Sequence, residues 1–294
     1  MVYIKEKKIG KRKIYSLRHN FRYKDAYRTE ERYLGTEIPK DIDKQKFDFY
    51  LEVISDKLKE IDLIKEKIDK DHKKAPSIVL DKENEQFALL FTYNTNKIEG
   101  STLTYKESVN LLIHNISPNK PTRDIKETEA HQNLFLELIK KEQKITYQNL
   151  LEWHYKLFKD TKPELAGKVR DYKVIISGSK FVPPSPIEVN SELMDFFKWY
   201  LKNKDVLHPV VLSCLCHLKL VTIHPFGDGN GRITRLIMNV VLNNYNYPLF
   251  VIKYTDRVDY YNSLQGSNLK EDQTIFIKWY INEYIKFTKE WYKI

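Results

Sequence analysis

The chain has 294 residues, 41% of them apolar and 13% aromatic, which is enough to bury a large core and excludes wholesale disorder. Fifty Lys and Arg against 40 Asp and Glu leave a net charge of +10, and residues 1–40, with 12 basic and 5 acidic side chains, carry +7 of it. No apolar run approaches the ~20 residues that span a bilayer, the basic N-terminus lacks the apolar stretch of a secretory signal, and Cys214 and Cys216 alone cannot make a disulfide framework or a zinc site.

A cytoplasmic protein with reduced thiols and no membrane contact is the expectation. In chain order, Val2 to Lys8, Tyr15 to Tyr23 and Arg28 to Leu34 alternate apolar and polar residues, the pattern of half-buried strands, with a polar break at Lys24-Asp25. Residues 1–38 therefore read as a small antiparallel meander, too small to stand alone. From Lys44 to Asp71, apolar residues recur at spacings of three and four, which predicts one long amphipathic helix ending before Pro76.

Helices are expected over 81–94, 105–114, 124–141 and 146–158. Val169 to Ile176, then Ser177-Gly178-Ser179 and Phe181-Val182-Pro183-Pro184, read as a β-hairpin or flap. Further helices are expected at 187–201, at 209–222, where the pattern is apolar all round and hence central, and after Asn230. Two more are expected at 258–264 and 274–289. The predicted fold class is mainly α.

Between two core helices lies His224-Pro225-Phe226-Gly227-Asp228-Gly229-Asn230-Gly231-Arg232-Ile233-Thr234-Arg235. Glycines at this spacing let backbone N–H groups converge on an anion, and the following helix adds its positive end. Arg232 and Arg235, three apart, project from one side of its first turns as clamps for a polyphosphate. A carboxylate at Asp228 suits such a site only with a divalent cation between it and the phosphates, so Asp228 reads as a Mg²⁺ ligand. The other reading of Asp228 is a helix cap. His224, at the mouth of the loop, has the ordinary pKa of a general base.

This dodecapeptide is similar to the Fic family signature H-x-F-x-D/E-G-N-G-R-x-x-R at all its defined positions. The stretch KVIISGSKFVPPSP resembles that family's flap, and Tyr260-Tyr261 and Asn268 resemble the residues lining its adenosine pocket. The resemblance implies a helical bundle with a β-hairpin flap over residues 76–252, completed by C-terminal helices at 253–294. Outside it stand the basic meander (1–40) and the long helix or linker (41–75).

The implied reaction is Mg²⁺-dependent transfer of AMP from ATP to a Ser, Thr or Tyr hydroxyl of a target protein. By the same resemblance His224 is the base and Asp228 the metal ligand. Gly229, Asn230 and Gly231 form the anion hole, Arg232 and Arg235 contact the β- and γ-phosphates, and Ile233 and Thr234 lie in the same stretch. Gly178, Ser179, Lys180 and Phe181 lie near the nucleotide. Gly231 stands where a phosphotransferase branch has Lys, which favours nucleotidyl transfer.

Thr95-Asn96-Lys97-Ile98-Glu99-Gly100 resembles the family's inhibitory motif S/T-x-x-x-E-G/N. It implies that Glu99 pairs with Arg235, occupying the guanidinium that should hold the γ-phosphate, so that ATP still binds but with its α-phosphate misaligned for attack. The implied partner is a protein hydroxyl docked on the flap by strand addition. Self-modification, a homodimer and net removal of AMP all stay open. Arg and Tyr interleave in residues 1–40, so a nucleic-acid-associated regulator is the alternative function.

Overall fold

The computed structural model describes residues 2–23 and 26–294. It divides into two compact units, Met1–Leu63 and Ile64–Ile294. In the first, β1 (Val2–Ile9), β2 (Arg12–Tyr23) and β3 (Ala26–Gly35) form an antiparallel sheet of order β1-β2-β3. A two-residue turn at Gly10-Lys11 joins β1 to β2, and Gly10 at φ +60° supplies the positive dihedral such a turn demands. The expected polar break at Lys24-Asp25 lies outside the described residues.

The sheet buries Leu17 and His19 and packs on α1 (Ile42–Val53). His19 meets the Tyr50 ring at 5.5 Å, and Arg32 lies over the Phe49 ring at 5.1 Å. Tyr27 and Tyr33 are exposed, so the aromatics of this sheet are divided between a packed face and solvent.

The single long helix expected over 44–71 is two helices. α1 ends at Val53 and α2 (Ser55–His72) follows, with the irregular residue at Ile54. Two β-branched residues followed by Ser weaken helix preference there. The apolar spacing runs through unbroken, which is why periodicity alone missed the break.

The second unit is helical. α3 (Ser77–Ile98) extends past both expected ends. It is followed by α4 (Tyr105–Leu112), started by a Thr104–Glu107 capping box, α5 (Thr122–Ile139), and α6 (Tyr147–Phe158), whose N-cap Thr146 accepts from the Asn149 N–H. Then come α7 (Pro186–Asn203), α8 (Pro209–Ile223), α9 (Asn230–Asn244), α10 (Arg257–Leu269) and α11 (Thr274–Tyr292).

α8 is central, as its all-round apolar pattern predicts. Val210, Val211, Leu212, Cys214 and Cys216 are sealed from solvent, and both thiols are free. α8 packs on α9, the two helices that the dodecapeptide connects. No helix among the described residues is long and apolar enough to cross a membrane.

The flap corrects the expectation of a β-hairpin. Residues 164–185 are extended segments and turns with no sheet ladder. Pro183 and Pro184 lack N–H donors. The two arms are instead tied by the buried Arg170, which donates to the Tyr172 carbonyl (3.0 Å) on one arm and the Pro184 carbonyl (2.7 Å) on the other.

Candidate functional site

The site is built on the α8–α9 connection. α8 ends at His224, which takes the left-handed conformation (φ 53°, ψ 58°) and so turns the chain sharply. Arg170 holds this corner: its Nε donates to the His224 carbonyl at 2.8 Å, and its backbone N–H to Pro225 O at 2.9 Å. Phe226 is fully buried and stacks on the His154 ring at 3.8 Å.

Asn230 closes the loop on itself. Its Oδ1 accepts from Phe226 N–H (2.9 Å) and its Nδ2 donates to Phe226 O (2.8 Å). The Asn230 side chain is therefore consumed in shaping the loop, leaving only its backbone to face an anion. Ile233 faces the core, and Thr234 donates to Gly231 O. Neither side chain opens on the loop, so their expected nucleotide contacts reduce to position in the helix.

Three glycines of the loop sit where a Cβ would collide with a neighbour, and at Gly227 that neighbour is the Tyr172 hydroxyl. At Gly229 (φ +79°) a Cβ would stand 2.3 Å from the Phe158 ring, and at Gly231 it would stand 2.3 Å from Glu99 Oε1. Gly229→Ala should therefore combine overpacking with left-handed strain, a loss of about 2–4 kcal/mol. That corresponds to a fall in melting temperature on the order of 5–10 °C for a chain of this size. An unchanged melting curve would show slack that the structure lacks.

Arg235 is sealed inside the protein. Its Nη2 donates to Glu99 Oε1 at 2.6 Å and to the Thr95 carbonyl at 3.2 Å, its Nε to Thr95 Oγ1 at 2.5 Å, and its Nη1 to the Tyr260 hydroxyl at 3.4 Å. Burial disfavours its charge, but Glu99 and Tyr260 outweigh that and keep the guanidinium protonated. Glu99 is the C-cap of α3, and Gly100 (φ +89°) turns the chain away immediately after it. The three motif residues Thr95, Glu99 and Gly100 thus act together. One grips the guanidinium, one neutralises it, and one ends the helix so that the carboxylate meets the first turn of α9.

Arg232 is also occupied. It pairs with Glu127 on α5, lies 4.6 Å over the Phe158 ring, and stands 3.6 Å from Asp228 Oδ1. Asp228 Oδ2 is bound by Lys162 Nζ at 2.6 Å, and Oδ1 accepts from Gly229 N–H at 2.5 Å. Burial alone would raise the Asp228 carboxyl pKa; Lys162 and Arg232 reverse this and hold it below the usual range.

The His224 Nδ1 lies 3.2 Å from the Val221 carbonyl. That contact assigns the proton to Nδ1 and leaves Nε2 with a free lone pair. Burial pushes the His224 pKa down, only partly offset by the Val221 bond. Its imidazole is therefore neutral at pH 7.

The flap residues couple to α10. Lys180 N–H donates to Gln265 Oε1 at 2.7 Å, Ser179 Oγ meets the same oxygen at 3.3 Å, and Phe181 N–H donates to Ser179 Oγ at 3.1 Å. Gly178 makes the turn at φ +76°. Tyr261 is half exposed and donates to Ile98 O at 3.3 Å, while Asn268 accepts from Thr222. Tyr260 is buried and bonds His217 Nε2 at 3.0 Å. Its hydroxyl also accepts from Arg235 Nη1 at 3.4 Å.

The sequence pattern missed several residues that matter here. His154 on α6 is buried, with its pKa pushed down to about 4 by desolvation. Its neutral ring accepts from Gly167 N–H and donates to the Asp228 carbonyl at 3.0 Å, steadying the loop. Glu127, Lys162, Arg170 and Gln265 are single polar residues far from the dodecapeptide in sequence, and no local signal separates them from the other charges.

Asp228 is the one carboxylate of the glycine-rich loop that could hold a divalent cation, and Glu127 lies across Lys162 from it. Among the described residues no cluster of three or more His, Cys, Asp or Glu could hold a metal by itself. The chemistry of such a single carboxylate fits Mg²⁺, which keeps most of its waters and needs only one or two carboxylates from a protein.

Residues 144–242 match the Fic/DOC family model. Over 182 residues the chain is 35% identical to a protein of Nematostella vectensis named protein adenylyltransferase Fic, covering 60% of this chain and 42% of that one. A protein of the same name from Aedes aegypti is 32% identical over 188 residues, covering 60% of this chain and 36% of the other. The chain thus spans less than half the length of these curated relatives. Among solved structures, a Fic domain containing signaling protein from Bacteroides thetaiotaomicron superposes with a TM-score of 0.70 at 28% identity, over 79% of this chain and 94% of that one.

Proposed function

We propose that the chain, whose residues 144–242 match the Fic/DOC family model, transfers AMP from ATP to a protein hydroxyl, with Glu99 restraining the reaction. The observation that carries this reading is the convergence of four groups on one turn. A neutral imidazole at His224, a carboxylate at Asp228 and two guanidiniums at Arg232 and Arg235 surround the glycine-rich start of α9.

In the proposed step the His224 Nε2 takes the proton of the attacking hydroxyl. The hydroxyl oxygen forms a bond to the α-phosphorus, the bond to the bridging oxygen breaks, and pyrophosphate leaves. Backbone N–H groups at the start of α9 and the Arg232 guanidinium hold the phosphate oxygens. Asp228 would hold Mg²⁺, which when bound neutralises charge on the phosphates. The flap would present the target. Its main chain is free of any ladder, and Ile175 and Val182 project almost wholly into solvent. That is an edge for strand addition.

Glu99 gives the reading its regulation. Its carboxylate lies against Gly231 in the first turn of α9 and neutralises Arg235, so it competes with the terminal phosphate for that guanidinium. Incubation of Glu99→Gly protein with ATP labelled at the α-phosphate, Mg²⁺ and a protein mixture tests the activity. Label should enter protein, and label at the γ-phosphate should not. Entry of γ-label instead would make the chain a phosphotransferase.

Asp228→Asn should lower Mg²⁺-dependent transfer by on the order of a hundredfold or more, since the developing phosphate charge loses its counter-ion. Transfer that persists equally in EDTA would remove the metal from the reaction.

A further inference from the structure

Lys162 is the residue whose position the reading above leaves unexplained. Its ammonium lies 2.6 Å from Asp228 Oδ2 and 3.0 Å from Glu127 Oε1, and its side chain is only 19% exposed. The residue is set in place by its backbone: Lys162 N–H donates to Phe158 O at 2.8 Å, and Lys162 O accepts from Leu165 and Ala166 N–H, each at 3.0 Å. The side chain therefore leaves a fixed loop directly behind α6. Its head opens on a small polar cavity that Glu99, Asp228 and Arg232 also line.

We propose that Lys162 is a resident counter-ion seated where the divalent cation on Asp228 has to bind, so that the cation can bind only by displacing it. The proposal rests on Asp228 being the cation ligand of the reading above. An ammonium 2.6 Å from the carboxylate blocks the approach that a Mg²⁺ at ~2.1 Å requires. Two cations cannot share that oxygen in a half-buried site, because their repulsion is weakly screened there.

A bare cation would gain one carboxylate and lose waters, against an ion pair already made. A cation arriving with a polyphosphate brings its other ligands with it. Lys162 thus makes cation binding conditional on the nucleotide. Glu127 is the second half of the device. Its Oε1 already lies 3.0 Å from the same ammonium, so a lysine displaced from Asp228 keeps a counter-charge and is not stranded in the interior. Its other oxygen meanwhile holds Arg232.

The experiment uses Mn²⁺ as the probe on the full chain without nucleotide, with free Mn²⁺ quantified by electron paramagnetic resonance. Lys162→Met should bind Mn²⁺ at least tenfold more tightly than the wild-type chain. The double variant Lys162→Met, Asp228→Asn should lose that gain. A Lys162→Met chain that binds Mn²⁺ no more tightly than wild type overturns the proposal. So does a gain that survives Asp228→Asn, because the metal would then sit on Glu127.

Where circular dichroism shows Lys162→Met to be misfolded, Lys162→Gln keeps the polar contacts without the charge and is read in the same way. No arm measures AMP transfer, so failure of the transferase reading and failure of this one are told apart.

Discussion

His224→Ala should abolish AMP transfer, with a fall on the order of 10²–10⁴-fold for loss of a positioned general base, while ATP affinity stays unchanged. Nothing in the phosphate site depends on the imidazole. The guanidiniums of Arg232 and Arg235 are held by Glu127, Glu99 and Thr95, and the loop is pinned by Asn230. What the imidazole supplies is a lone pair on Nε2, directed by the Nδ1 contact with Val221 O and by the left-handed corner that Arg170 braces.

Burial lowers the His224 pKa, so the base stays neutral at pH 7. Transfer should accordingly decline only as pH falls below the ordinary histidine range near ~6.5. Single-turnover transfer from α-labelled ATP, with binding followed separately, makes the measurement. Undiminished transfer in the variant would end the assignment of His224 as base. An equal loss of ATP binding would make it a structural corner instead.

Glu99→Gly should raise transfer roughly ten- to a hundredfold. A charge-assisted hydrogen bond contributes about 1.5–3 kcal/mol, and each 1.36 kcal/mol of barrier is about tenfold in rate. The pair is well placed to exert that effect, with a 2.6 Å contact to a guanidinium that solvent does not reach. The same geometry predicts a cost. Removing Glu99 leaves Arg235 buried with Thr95 and Tyr260 but no counter-charge, so the nucleotide-free variant should melt at a lower temperature than wild type. Saturating Mg²⁺ and ATP should restore the loss, because phosphate then takes the place of the carboxylate.

The double variant Glu99→Gly, Arg235→Ala should show no gain in rate, since the released clamp is gone. Equal rates for wild type and Glu99→Gly would reduce Glu99 to an ordinary helix cap. A gain that survives Arg235→Ala would move the restraint to the start of α9, where Glu99 also crowds Gly231.

The helical class, the N-terminal meander, the central α8 and the glycine-rich stretch 224–235 were all legible in the order of the residues. These were legible because each is written locally: an apolar period, a strand alternation, or a run of glycines and charges. The pairing of Glu99 with Arg235 was expected only from the resemblance of residues 95–100 to a known motif, and no local spacing contains it.

Packing between distant elements supplied what local patterns cannot contain. Glu127 on α5, His154 on α6 and Lys162 in the following loop reach the site only because those helices pack beside α9. One lysine among 50 basic residues has no mark in the sequence to say that it will bind Asp228. The flap shows the converse. Its residues alternate like a hairpin, yet the arms are joined through Arg170 rather than by a ladder. The break at Ile54 was likewise hidden beneath a continuous apolar spacing. Strand and helix periods report which face is buried; which backbone groups pair is settled by the partners that packing supplies.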